Sequence, residues 1–365
     1  MPEPGLLYKK EAITELYQAA VSLLKELIAL PSFSREEEKT ADAIESFLHK
    51  RGVLTFRRKN NVWARNKHFH PGRPTLLLNS HHDTVQPNAG YTLDPFQPIE
   101  RDGKLFGLGS NDAGGALVAL MAAFLYFHEK ENLRYNLVFA ATAEEEISGS
   151  NGVELILPEL GKIDFAIVGE PTQMQMAIAE KGLMVLDCVV HGKAGHAARE
   201  EGVNAIYLAM RDIEWFRSFR FPKVSPLLGE VKMSVTIIRA GTQHNVVPDT
   251  CTFTVDVRTN ELYSNEEALQ IIREQVSCEV KPRSLRLKSS SIPKDHPIVK
   301  AGLKWGRSAY GSPTTSDQAL MPFPSLKIGP GDSARSHSAD EFIFLQEIEE
   351  GIELYVKMLN EILLP

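Results

Sequence analysis

The sequence predicts an α/β fold, a mostly parallel sheet covered by helices, with a smaller α+β domain inserted into it. Three observations carry that prediction. Short continuous apolar runs alternate with helical patterns in the first half of the chain. Strict alternation replaces them between about Glu180 and Ser291. The first style then returns near the end. The 365 residues are 43% hydrophobic and 24% charged, an ordinary globular composition. At roughly 150 residues per domain, that length suits about two domains.

Thr75–Leu78, Asn136–Ala141 and Phe165–Val168 read as strands buried on both faces, because a strand with one wet face alternates and these do not. Ala12–Leu30, Thr40–His49 and Gly115–His128 carry helical periodicity. Ser325–Ile328 repeats the strand style, and Leu345–Leu363 closes the chain as a long amphipathic helix. Within the insert, Val185–Val190, Met233–Ile237 and Phe253–Arg258 alternate, which suits an antiparallel sheet with one face on helices. Asn204–Phe219 and Asn265–Val276 supply those helices. The second has Ser264 as N-cap and Glu267 three residues on, a capping box. A β-α-β-β-α-β order makes the insert ferredoxin-like. The expected domains are 1–179 with 292–365, and 180–291.

Forty Lys+Arg against 47 Asp+Glu leave a net charge of −7 with no long basic run, which argues against nucleic-acid binding. Three cysteines, Cys188, Cys251 and Cys278, are too few and too odd in number for a disulfide framework. A reducing, cytoplasmic setting is expected. Met1 to Ile13 is broken by Glu3, Lys9, Lys10 and Glu11 and offers no apolar signal core. The longest apolar run, Gly114 to Phe127, falls short of the roughly 20 residues that span a bilayer. No membrane association is expected, and there is no repeat or low-complexity tract.

Acids and histidines gather just past the buried strands. Leu76–Leu78 runs into Asn79-Ser80-His81-His82-Asp83, and Phe139–Ala141 into Thr142-Ala143-Glu144-Glu145-Glu146. Ala166–Val168 runs into Gly169-Glu170-Pro171-Thr172, and Leu326–Ile328 leads to Gly329-Pro330-Gly331 and on to Ser336-His337. Asp112 sits in the glycine-rich turn Gly107 to Gly115. Open α/β sheets place their sites outside the carboxyl ends of strands. Each fragment alone reads equally as a hydrogen-bonded histidine, a solvated acidic loop or a simple turn. Together they would repel and desolvate one another unless a cation sat among them. Mixed imidazole and carboxylate donors suit zinc, with cobalt or manganese as alternatives. No Gly-Lys-Ser/Thr follows the glycines, so a phosphate loop is not supported.

His81-x-Asp83, Gly-x-Gly-x-x-Asp112, Glu145-Glu146, Glu170-Pro171-Thr172 and His337-x-x-Asp340-Glu341 occur in the order and spacing of a known family. The sequence resembles the M20 metallo-aminoacylases and peptidases over essentially its whole length, most closely the acetylornithine deacetylase and succinyl-diaminopimelate desuccinylase branch. The resemblance implies a zinc-exopeptidase-like sheet with an inserted lid and dimerisation domain. It further implies two divalent ions per chain, His81 and Glu170 on one, His337 and Glu146 on the other, and Asp112 bridging both. Strand period favours His81 over His82, since His81 and Asp83 face one way, and Asp83 would hold the imidazole of His81. Glu145 corresponds to the family's general base.

Two ions roughly 3.5–4 Å apart would bind a bridging water, which Glu145 deprotonates as it attacks an amide carbonyl. His196 would stabilise the oxyanion in the partner subunit's site, so a homodimer is implied; as sequence alone it reads equally as a loop histidine. Asn245 would contact substrate or stabilise the oxyanion, and Arg258 would pair with the substrate's α-carboxylate. Their plain readings are a turn residue and a sheet-surface salt bridge. Ser316-Asp317 and the Gly329–Gly331 loop are further pocket candidates. Ser80, Ala113-Gly114 and Glu144 depart from the family pattern without removing a ligand. The expected reaction is deacylation of a small N-acyl amino acid, N-acetylornithine first. N-succinylornithine, N-acetylcitrulline, N-acetyl-lysine, succinyl-diaminopimelate and dipeptides are the alternatives. A catalytically silent binding protein would require loss of Glu145 or of a ligand, and none is missing.

Overall fold

The computed structural model describes residues 10–365; the first nine, and that part of the Met1–Ile13 reading, lie outside. The chain divides into two compact units. One comprises Met1–Ile178, Ile292–Tyr310 and Ser316–Pro365; the other comprises Ala179–Ser291 with Gly311–Thr315. The sequence assigns 311–315 to the first part. They pack with the second because Lys181 N–H donates to the Ser312 carbonyl at 3.2 Å and Arg258 Nη1 to Thr315 Oγ1 at 3.3 Å.

The first unit is built on a mixed sheet. Its order runs Thr55–Arg58, Asn61–Arg65, Asn136–Thr142, Thr75–His81, Phe165–Val168, Ser325–Lys327, Met176–Glu180. The four strands from Asn136–Thr142 to Ser325–Lys327 are parallel, and all are fully buried. Strand period sorts their side chains onto two cores. Leu76, Leu78, Leu137, Phe139 and Ala141 pack with helices Lys10–Ile28, Glu38–His49, Gly115–His128 and Leu345–Leu363. Leu77, Val138 and Ala140 face Val153, Ile156 and Leu160 of helix Val153–Leu160.

Helix Gly115–His128 is apolar all round because it is enclosed between the sheet and two other helices. With the preceding irregular turn it forms a 19-residue stretch, Ser110–His128, that by length and composition could cross a membrane; 83% of its hydropathy window is buried inside the fold. The polar residues Ser110, Asn111 and Asp112 lengthen this stretch beyond the apolar run from Gly114 to Phe127. Truncating a side chain here, such as Phe124 to Ala, costs about 3–5 kcal/mol.

In the second unit the sheet order is Lys232–Ala240, Thr250–Arg258, Met184–His191, Glu279–Pro282, all antiparallel. In chain order that is the 2-3-1-4 arrangement of a ferredoxin-like domain. Met184, Leu186, Cys188 and Val190 alternate inward against helices Ala205–Ser218 and Asn265–Gln275. Asn204 caps the first helix through Ile206 N–H, and the Ser264/Glu267 capping box opens the second. The three cysteines are buried and free.

Candidate metal centre

The parallel strands end together, and their last residues and the loops behind them build the site. His81 is the final residue of its strand and is 1% exposed. Its Nδ1 lies 3.0 Å from the Asp83 carbonyl. A carbonyl only accepts, so Nδ1 carries the proton and Nε2 is left as a lone-pair donor. That Nε2 is buried with no hydrogen-bond partner. It faces Asp112 Oδ1 at 3.4 Å, Glu170 Oε1 at 3.8 Å and Glu145 Oε2 at 3.9 Å. His82 points elsewhere and is satisfied by Thr40 Oγ1 and the Asn60 carbonyl; burial holds it neutral, down to about 4.

Asp83 meets the imidazole of His81 through two atoms: its main-chain carbonyl accepts from Nδ1 at 3.0 Å, and its carboxylate stands 3.4 Å from the same nitrogen. The carboxylate is committed to Ser34 Oγ at 2.7 Å and to the backbone N–H groups of Glu145 and Glu146 at 3.0 and 3.1 Å. It therefore fastens the turn that presents both glutamates. Glu37, fully buried, accepts from Glu144 N–H on the same turn and from Asn60 Nδ2 in the hairpin turn between Thr55–Arg58 and Asn61–Arg65. Glu144 itself is left-handed at φ 55°, a conformation non-glycine residues hold only where surrounding contacts enforce it. Nothing in the sequence marked Glu37.

Asp112 leaves the irregular turn Ser110–Gly114 in an extended conformation. One of its oxygens faces His81, and the other lies 3.6 Å from His337 Nε2. His337, also left-handed at φ 57°, sets Nε2 at 3.0 Å from Glu146 Oε2. Gly329 lets its strand end approach Glu170: a Cβ there would meet the Glu170 carbonyl at 2.5 Å. Ser80, where the family commonly has glycine, donates to the Gly169 carbonyl and so braces the same crossing. The result is two clusters, His81–Asp112–Glu170 and Asp112–Glu146–His337, each with one ligand atom per residue within 4.8 Å of the others. Asp112 belongs to both.

The electrostatics argue for cations in both clusters. Burial, reinforced by Asp112 and Glu146, pushes Glu170 up to about 8, with His81 and Lys327 opposing. Burial likewise lifts Glu145 well above the carboxylate range, with Glu170, Asp317 and Glu146 adding to it. At His81 burial pulls downward, yet Glu145, Asp112, Asp83 and Glu170 together raise it well above its ordinary value. The hydrogen bond to Glu146 lifts His337 to about 9. So many crowded carboxylates retain protons unless positive charge replaces them. The orphaned His81 Nε2 and the mixed N and O donors fit divalent ions.

The remaining candidates are in the second unit. His196 and Asn245 meet on a short ribbon: Gly195–His196 pairs with Val246–Val247, and Ala197 N–H donates to the Asn245 carbonyl at 3.0 Å. Arg258 stands apart from them on the four-stranded sheet. Its Nε and Nη2 bind Asp256 at 2.8 and 3.1 Å, two residues earlier on the same strand face. In the first unit, Asp317 is buried on Thr142 Oγ1 at 2.7 Å, and burial pushes it up to about 6.

A sequence profile of Peptidase family M20/M25/M40 matches residues 77–361. The chain is 29% identical to the acetylornithine deacetylase of Proteus mirabilis, over 93% of this chain and 96% of that one. It is 25% identical to the succinyl-diaminopimelate desuccinylase of Wolbachia pipientis subsp. Culex pipiens, over 94% of each. The crystal structure of aminopeptidase PepT from Bacillus cereus shares the fold, with a TM-score of 0.75 at 19% identity over 95% of this chain and 98% of that one. The chain belongs to peptidase family M20/M25/M40 and is a hydrolase of amide bonds.

Proposed function

We propose that this hydrolase removes the acyl group from an N-acyl amino acid, N-acetylornithine first, in the cytoplasm and in the service of arginine biosynthesis. The observation that carries this reading is the shared Asp112 between two ligand clusters, with Glu145 beside them and in neither. The names of the relatives, a deacetylase and a desuccinylase, support the substrate class. His81 and Glu170 would hold one divalent ion, Glu146 and His337 the other, and Asp112 both; zinc suits these donors best. When bound, the ions supply Lewis acidity toward the amide carbonyl and a water of lowered pKa.

The chain's own residues do the rest. Glu145 accepts the proton of the attacking water and returns it to the departing amine. Asp83 keeps Glu145 and Glu146 in register by holding both their amides. His196 and Asn245 donate to the developing oxyanion.

His196 acts across a homodimer in this reading. The exposed edge strand Lys232–Ala240, with Ile237 and Ile238 on its surface, is the face through which a second copy would pair. Mixing inactive His196→Ala chains with inactive Glu145→Ala chains is expected to restore partial activity. Verified mixed dimers that stay inactive would count against action in trans.

Arg258 meets the substrate carboxylate through the guanidinium hydrogens that Asp256 and Thr315 leave over. Arg258→Ala removes that contact and leaves Asp256 as an unpaired negative charge, so KM for carboxylate-bearing substrates is expected to rise about 10- to 100-fold. The measurement is a zinc- or cobalt-supplied kinetic panel of N-acetyl and N-succinyl ornithine, N-acetylcitrulline, N-acetyl-lysine, succinyl-diaminopimelate and dipeptides. Turnover of dipeptides alone would overturn the deacylase reading, and an unchanged KM would remove Arg258 from it.

A further inference from the structure

Three backbone amides of the turn that carries Asp112 are held by one side chain from far along the sequence, while the Asn111 side chain and Ser336 tie the same turn to the loop after Asp332. Glu341 is 2% exposed. Its Oε1 accepts the backbone N–H groups of Asn111 at 2.8 Å and Asp112 at 2.9 Å, and its Oε2 accepts that of Gly109 at 3.2 Å. Its own carbonyl accepts Gly107 N–H at 3.0 Å. Directly after it, Phe342–Phe344 pairs with Lys104–Phe106, the strand leading into the same turn. Gly109 is left-handed at φ 77°, and a Cβ there would strike Thr84 Cγ2 at 2.6 Å, so the turn has little room for another path. Ser110 and Asn111 are fully buried, and the amides of Asn111 and Asp112 need an internal acceptor.

A neutral acceptor would satisfy those amides at lower cost. Burying a carboxylate that, among the described residues, is met only by amide hydrogens is unfavourable, and placing it beside Asp112 adds repulsion. That cost is recovered if positive charge lies on the far side of Asp112. We infer that Glu341 is a positioning residue for the two-metal centre: it fixes Asp112 so that one oxygen faces each cluster, and its charge adds to the hold on the cations. The inference rests on the metal-centre reading above and adds to it a residue that belongs to neither ligand cluster.

Three substitutions separate geometry from charge. Glu341→Gln keeps one carbonyl oxygen for Asn111 and Asp112 but removes the charge. Glu341→Asp keeps the charge but draws it back by one methylene. Glu341→Ala removes both. Zinc affinity is measured on the purified full chain by competition with a chromophoric chelator, with zinc content by mass spectrometry and the melting temperature of the metal-free protein alongside. Glu341→Ala is expected to weaken zinc binding about 10- to 100-fold, with Glu341→Gln and Glu341→Asp in between, and kcat is expected to fall more than KM changes. Should the alanine variant fail to fold, the glutamine variant answers the same question. Lower metal-free melting temperatures with unchanged zinc affinity in the folded variants would reduce Glu341 to a structural residue and overturn the inference. A wild-type chain that binds no zinc would instead overturn the metal-centre reading, and this inference with it.

Discussion

Glu145→Ala is expected to lower kcat about 100- to 10,000-fold, the usual worth of a positioned proton carrier, while zinc content stays near about two ions per chain. The separation follows from where Glu145 sits. Neither ligand cluster includes it, yet its Oε2 lies 3.9 Å from the orphaned His81 Nε2. Its backbone amide is anchored to Asp83, so losing the side chain leaves the turn, and with it Glu146, in place. Glu145→Gln, of the same shape and unable to take a proton, is expected to behave alike. Kinetics with the best substrate of the panel, together with metal analysis of the same preparation, check both halves. Full activity in either variant would refute the proton-transfer role, and zinc lost with Glu145 would make it a ligand instead.

What could be read from sequence, and what could not, follows from how each feature is encoded. The strands Thr75–His81 and Phe165–Val168 were legible because burial on both faces leaves an uninterrupted apolar run. The ligand candidates were legible because they sit immediately past such runs, where the topology converges. The hairpin Thr55–Arg58 with Asn61–Arg65 was not, since Phe56, Arg57 and Arg58 show no apolar rhythm over so short a span. Nor was the small sheet of Ile99–Arg101, Lys104–Phe106 and Phe342–Phe344, whose three-residue strands are shorter than any period. The anchoring of backbone amides by carboxylates was the deepest omission, even where the residue itself stood in a motif. Asp83 and Glu341 bond to the main chain of segments 62 and 230 residues away, and every residue type except proline offers the same N–H. Sequence marks the donor side chains of a site, whereas the groups that hold its backbone leave no mark at the position they hold.

Asp112→Asn is the more disruptive change expected at the metal centre, because it acts on both clusters at once. The asparagine keeps one oxygen, but its amide nitrogen offers no lone pair, so one cluster retains all three of its ligands and the other is left with two. Zinc content is expected to drop from about two ions to one or fewer, and turnover to fall at least as far as in Glu145→Ala. Protonation provides an independent check. In the metal-free chain His337 rests at about 9, Glu170 at about 8 and His81 well above its ordinary range. At pH 7 His337 and Glu170 are largely protonated, so zinc must displace protons, and its affinity falls as pH is lowered from 8. Asp112 is one of the anions that raise both histidines. With that charge removed, fewer protons remain to be displaced, and the pH dependence of binding in the variant becomes shallower. Calorimetric zinc titrations at two pH values, each in buffers of different ionisation enthalpy, measure the released protons directly. Equal release and two tightly held ions in the asparagine variant would mean that Asp112 is not the shared ligand.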